Sequence, residues 1–248
     1  LFFIYFIIMK KVISFSLYGD NPKYTIGAIK NVDLQLNQKI YKDWIFRFYV
    51  DNSVPKKIID KLKSKNAQII DMSKSYLNNF GRVWRFLVLG DSNIDIFISR
   101  DCDSRISKRE ENAVNDWIKS DKDIHIIRDH IHHLNKHYPI QAGLWGYKNY
   151  LKKKIFNSDD LKKFIRNNKI GYFSDAEYLI TLLKPDIVKY NALVHDNWLR
   201  TPNSIKFKDK RLTKNFIGEG FNIVDNIEIQ IWPIDKWKME NNEWVPLA

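Results

Sequence analysis

Short apolar runs alternate, over the first half of the chain, with segments whose apolar residues recur at helical spacing. Val12-Ile13-Ser14-Phe15-Ser16-Leu17 reads as a buried strand, closed by the turn Tyr18-Gly19-Asp20-Asn21-Pro22. Over residues 24–38, Ile26, Ile29, Val32 and Leu36 fall on one face of a helix. Residues 44–50 predict a second strand ending on Asp51-Asn52. Pro55 suits the first position of a helix reaching about Ser64. Residues 67–70 form a third short strand and 80–89 a helix. The nearly continuous run Ile94-Asp95-Ile96-Phe97-Ile98 suits the middle of a parallel sheet covered on both faces. Ser107 then caps a helix running to about Lys119, with Glu110 as its capping-box partner, and residues 124–127 are another strand.

This β-α-β-α-β order predicts an α/β fold, with a mostly parallel twisted sheet and helices on both faces. The later pattern is looser. Residues 129–146 read as loop, 161–167 as helix, and Ser174 caps a helix over 175–183. The rest reads as short strands and loops, giving an irregular C-terminal part. Lacking a Pro/Gly/Ser linker, residues 9–248 are expected to form one domain. Residues 1–8 are apolar and aromatic but too few to span a bilayer. They read as a non-native or flexible tail before a start at Met9, with a membrane-touching tail as the alternative.

The net charge of +12 fits a nucleic acid, an anionic membrane surface or a phosphate-bearing small substrate. The lysines are scattered, as at 56–57, 152–154 and 162–163, which favours a solvated basic surface over a nucleic-acid groove. No helix-turn-helix, RNA-recognition or zinc-finger signature is present. The single cysteine, Cys102, excludes an internal disulfide framework and a cysteine-based zinc site. It suits a reducing, cytoplasmic compartment, with or without peripheral attachment to a membrane.

The strongest chemical signal is Asp101-Cys102-Asp103, directly after the 94–98 strand. Ligands of open α/β sheets bind in the crevice at the carboxyl ends of strands. Two carboxylates leaving a strand together can face one hard divalent cation, which takes waters and substrate phosphates as its other ligands. Arg100 and Arg105 flank the pair and suit phosphate oxygens. The competing reading is a solvated strand-to-helix turn.

The run Ile98-Ser99-Arg100-Asp101-Cys102-Asp103-Ser104-Arg105, followed by Arg109-Glu110 and Ala113-Val114, resembles the Asp-x-Asp region of glycosyltransferases with the A-type fold. It is most like a group of bacterial and viral glycosyltransferase-like proteins. Ser16 to Gly19, Arg47 to Asp51, Arg128-Asp129-His130, Gly143-Leu144-Trp145-Gly146, Ser174-Asp175 and Val194-His195-Asp196 resemble further segments of that group, in the same order. The resemblance implies a single domain of that fold that moves a sugar from a nucleoside diphosphate sugar to a hydroxyl of a glycan, lipid or protein acceptor. It places Ser16, Leu17, Tyr18 and Asp51 at the nucleotide, and Arg85 and Arg100 at the diphosphate or sugar. Gly143, Trp145 and Gly146 then lie under the donor sugar. Asp101, Asp103 and His195 would hold a manganese or magnesium ion. Asp175 is the catalytic candidate, a base if the reaction inverts and a positioning group if it retains. Ala142 stands where a further glycine is expected, and Ala176-Glu177 follows Asp175 where related proteins have an amide. The alternatives are a nucleic-acid binder or nuclease, and a non-catalytic sugar-binding domain.

Other residues carry weaker signals. His130, His132, His133 and His137 tempt a zinc reading, but they lack cysteine support and read as loop histidines. Cys102 is expected to point into the core, with its acidic flanks raising its pKa. Asp175 and Glu177 face different directions on a helix and are poorly placed to flank one glycosidic bond. Among eight tryptophans, including Trp84, Trp117, Trp198 and Trp232, Trp145 is the candidate for stacking on a sugar.

Overall fold

The computed structural model describes residues 9–134, 140–148, 158–167, 171, 174–183, 191–199, 201, 204–211, 213, 215–225, 227–231, 237–240 and 243–246. The predicted tail at 1–8, the lysines at 152–154, His137 and Trp232 lie outside them.

The expected fold class holds. The chain runs β1 (Lys11–Leu17), α1 (Pro22–Gln38), β2 (Trp44–Val50), α2 (Lys56–Ser64), β3 (Gln68–Asp71), a 3₁₀ segment (Gly81–Gly90), β4 (Ile96–Ser99), α3 (Lys108–Lys119) and β5 (Ile124–Arg128). A short 3₁₀ turn (Ile131–Leu134), β6 (Trp145–Lys148), α4 (Ser158–Asn167), α5 (Ser174–Leu183), β7 (Ala192–Asp196) and β8 (Ser204–Ile205) follow. Two antiparallel hairpins lie at the end, β9 (Phe221–Val224) with β10 (Ile227–Gln230), and β11 (Trp237–Glu240) with β12 (Glu243–Pro246). The main sheet has the order β3-β2-β1-β4-β6-β5-β7-β8. Its neighbours are parallel except that β6 lies antiparallel between β4 and β5. Among the described residues no helix is long and apolar enough to cross a membrane.

Alternation along the strands divides the core between the two faces of the sheet. From β1, Ile13, Phe15 and Leu17 pack with Ile29, Val32, Leu62, Val114 and Trp117, under α1, α2 and α3. Val12 faces the other way, toward Trp84 and Phe86 of the 3₁₀ segment and toward Leu161 and Tyr178 of α4 and α5. Asn21 caps α1 by accepting the Lys23 N–H (2.9 Å).

Three expectations are corrected. Residues 81–90 form 3₁₀ turns, not an α-helix. The N–H and C=O of Arg85 are held by the hydroxyls of Ser16 (3.0 Å) and Ser14 (2.7 Å) on β1, in place of an i to i+4 ladder. The 129–146 stretch is not all loop, because Trp145 and Gly146 begin β6. That strand is buried along its whole length, so it shows no alternation in the sequence. The capping box at α3 is half made. Ser107 Oγ accepts the Glu110 N–H (3.2 Å), but the Glu110 carboxylate turns inward.

There it accepts from Arg100 Nε (2.6 Å) and the Tyr41 hydroxyl (3.0 Å). Arg100 also donates to the carbonyl of Ser99 (2.6 Å). This buried pair ties the end of β4 to α3 and to the loop before β2. Removing one partner strands the other charge in the core, at about 3–5 kcal/mol. Arg100→Ala is therefore expected to lower unfolding free energy by about that much, read by urea titration.

Candidate active site

Strand order reverses at β1, with β2 and β3 on one side and β4 on the other. A crevice opens at the carboxyl ends of such a pair. Tyr18 reaches it from β1, and Asp101 and Asp103 from β4.

Arg85 enters from the 3₁₀ segment, its backbone clamped by Ser14 and Ser16. Its guanidinium pairs with Asp101 Oδ1 and with Asp175 Oδ2 (2.6 Å). Asp175 stands in the first turn of α5, and its Oδ1 accepts the Ala176 N–H (2.9 Å). Burial alone would lower the Arg85 pKa, but the charges of Asp101 and Asp175 outweigh it and raise it. Arg85 stays charged, and its Nε has no hydrogen-bond partner among the described residues.

The Asp101 side chain is 47% exposed, open enough to meet a ligand. Gly143 allows it to sit there, because a Cβ at position 143 would lie 2.0 Å from Asp101 Oδ2. Asp103 Oδ2 pairs with Lys23 Nζ (2.7 Å). Burial, and after it the charge of Asp101, raise the Asp103 pKa against the pull of Lys23. Cys102, between them, is buried and donates to the Ser16 carbonyl (3.3 Å), and burial pushes its pKa well up, as expected. A cleft of about 320 Å³ adjoins the crevice, lined by Tyr18, Asp51, Phe80, Gly81, Arg82 and Ser174. Gly81 lets Tyr18 lie close, since a Cβ there would be 2.3 Å from the ring.

Among the described residues no three His, Cys, Asp or Glu side chains gather as a ligand set. Asp101 and Asp103 stand two residues apart, with Asp101 half-exposed and Asp103 paired with Lys23. That pair fits a hard cation that completes its shell with water and substrate oxygens.

Several predicted residues stand elsewhere. His195 is buried beneath α3, sharing a hydrogen bond with His125 (2.8 Å) and packing on Phe207, with Asp116 4.0 Å from its Nε2. The structure does not bring it to Asp101 and Asp103. Arg100 is locked into its pair with Glu110. Trp145 is wholly buried against Phe97 and Phe86 because β6 is an interior strand. Gly146 serves strand packing, where a Cβ would meet Ile98 at 2.8 Å. The Leu17 side chain faces the core. Ser16 acts through Arg85.

Two roles escaped the sequence reading. Lys23 follows the N-cap of α1, where a first-turn lysine gives no distinctive signal. Asp129 is buried at the end of β5, where it pairs with Arg109 and Arg211 and accepts from Asn197 (2.8 Å) and the Ile217 N–H (3.0 Å). It anchors the returning C-terminal segment. His130 stacks on Phe216 (4.1 Å) and His133 Nδ1 accepts the Asp129 N–H (3.0 Å), so these histidines are packing groups.

Burial depresses the His195 pKa from 6.5 to about 4. A depressed folded-state pKa gives stability that is present above the unfolded value and lost as pH falls through the folded one. Unfolding free energy is expected to decline from about pH 6.5 toward pH 4. His125 and His133, also depressed by burial, contribute to the same decline, so His195→Gln should reduce it in part, read by urea titrations at the two ends of the window.

No protein-family model matches the chain, and no curated protein sequence matches it. It is similar in structure to the galactosyltransferase LgtC, solved in complex with donor and acceptor sugar analogs. The two are 16% identical with a TM-score of 0.47, over 75% of this chain and 73% of that one. It is also similar to the glycosyltransferase GlyE of Streptococcus pneumoniae (16%, TM-score 0.46, 75% of this chain and 45% of that one). A third such structure is the 4-diphosphocytidyl-2C-methyl-D-erythritol synthase of Anaerococcus prevotii (13%, TM-score 0.45, 81% of this chain and 93% of that one). Likenesses at this level establish neither a family nor an activity.

Proposed function

We propose that the chain is a divalent-metal-dependent glycosyltransferase that uses a nucleoside diphosphate sugar. The observation that carries this reading is Arg85 joining Asp101 and Asp175 at the switch point of the sheet, beside the Tyr18–Asp51 cleft. Manganese or magnesium held by Asp101 and Asp103 would draw charge off a departing diphosphate. Tyr18, Asp51 and Arg82 line the cleft for the nucleoside end. Arg85, with its unpartnered Nε, would hold a phosphate or sugar oxygen. Gly143 keeps room for the Asp101 carboxylate. Both Asp175 oxygens are already engaged, so Asp175 is assigned to positioning Arg85 and the sugar and not to taking a proton. The acceptor is a hydroxyl on a glycan, lipid or protein.

Thermal shift with a panel of UDP- and GDP-sugars, with and without manganese, tests the donor site. A true donor raises Tm, more so with metal. Asp103→Ala should remove the metal-dependent part. No shift with any nucleotide sugar, or a shift indifferent to Asp103, would sink the reading.

Gly143→Ala would push the Asp101 carboxylate, with the Asp101 backbone nitrogen also close at 3.3 Å, so it should reduce the metal-dependent shift more than it lowers Tm without ligand. Asp175→Asn separates two roles. Loss of a positioning charge-assisted hydrogen bond predicts about a tenfold drop in kcat/KM. A general base would cost about 10²–10⁴-fold in kcat, and a kcat loss of that size would overturn the positioning role.

A further inference from the structure

A cavity of about 600 Å³ lies away from the crevice, between the second half of α1, the start of α3, residues 215–221 and Glu228. Glu219 stands in its wall. It is only 1% exposed, and neither carboxyl oxygen has a hydrogen-bond partner among the described residues. The amide of neighbouring Gln230 donates to Asn215 Oδ1 (2.7 Å) and only approaches Glu219, outside hydrogen-bond geometry. Burial lifts the Glu219 pKa to about 7, while the Gln230 amide, the Phe216 backbone and the Arg211 charge pull the other way from longer range. A buried polar group left open is costly, and such groups in native proteins call for an explanation.

The surrounding cations do not supply one. Lys30 and Arg105 are paired with Glu228 (3.3 and 2.7 Å), and Arg109 and Arg211 with Asp129. Their positive field also disfavours an ammonium ligand beside Glu219. A neutral ligand rich in hydroxyl groups would meet the acceptor demand of Glu219 while offering oxygens to Arg105 Nη2 and Arg211 Nε in the same wall. The amide side chains of Asn37, Gln38 and Asn215 also line the cavity, next to apolar Leu34 and Phe221. Its size suits a short oligosaccharide.

We infer that this cavity is a carbohydrate-binding site, separate from the crevice at Asp101, in which Glu219 accepts hydrogen bonds from sugar hydroxyls. The inference goes beyond the transferase reading and does not rest on it. Glu219 and its neighbour Gly220 lie directly before Phe221, whose N–H binds the Asp103 carbonyl (2.9 Å). The site and the Asp101–Asp103 turn are therefore joined through one short piece of backbone.

The test is saturation-transfer NMR and calorimetry on the full chain with glucose, galactose, N-acetylglucosamine, lactose and maltotriose, without nucleotide or metal. At least one sugar should bind. Glu219→Leu should weaken it about tenfold or more, as expected for lost charge-assisted hydrogen bonds. Asn37→Trp, at an exposed position on α1, should block the cavity while leaving Glu219 in place, so that a folding defect in one variant does not decide the matter. Both variants should keep the nucleotide-sugar thermal shift. Failure of every sugar to bind, binding that survives both variants, or spermidine binding where sugars do not would overturn the proposal. So would sugar binding abolished by Asp101→Asn, which would place it in the crevice.

Discussion

A buried guanidinium holds the crevice together. Arg85 would be intolerable in the core without counter-charges, since each unpaired buried ion costs several kcal/mol. It finds one on the turn after β4 and the other at the start of α5, and thereby fixes both elements relative to β1. The two β1 serines set its backbone first, so the side chain is delivered at a defined height above the sheet. The interactions that build the crevice therefore also aim its charges.

The charge balance at that point is uneven. Asp101, Asp103 and Asp175 bring three carboxylates, while Arg85 and Lys23 bring two cations. Burial first, and the charge of Asp101 second, make Asp103 hold its proton more tightly than usual. A site with an excess of negative charge and one half-exposed carboxylate would be relieved by a small hard cation. That supports the proposed metal role more than the bare spacing of two aspartates does.

The fold was largely legible because β1, β2 and β4 are short, predominantly apolar runs and α1 and α3 keep a clear polar face. Legibility failed where tertiary contacts replaced local rules. The 3₁₀ segment looks helical in sequence, and only the hydroxyls of Ser14 and Ser16 show why its ladder does not form. β6 is four buried residues containing a glycine, and nothing in Trp145-Gly146-Tyr147-Lys148 announces a strand. At the site, Asp101, Asp103, Arg85, Tyr18, Asp51 and Gly143 are brought to one crevice. Arg100 and Trp145 were read as ligand-facing from neighbourhood in sequence, but alternation along a strand sends adjacent residues to opposite faces. His195 shares that fate, since its strand neighbour Val194 faces the α4–α5 side and the imidazole turns toward α3.

Buried charge alone does not separate structural residues from functional ones. Asp129 is as buried as any group in the chain, yet two arginines, an amide and a backbone N–H satisfy it, and its pKa falls. It behaves as an anchor. Glu219 is just as hidden, has only looser approaches from Gln230, the Phe216 backbone and Arg211, and its pKa rises. Unsatisfied atoms also occur on Arg100 and Trp145, but those side chains are sealed in the core, whereas Glu219 borders open volume. An unmet hydrogen-bonding demand beside a space large enough to meet it is what separates a site from strain absorbed in packing.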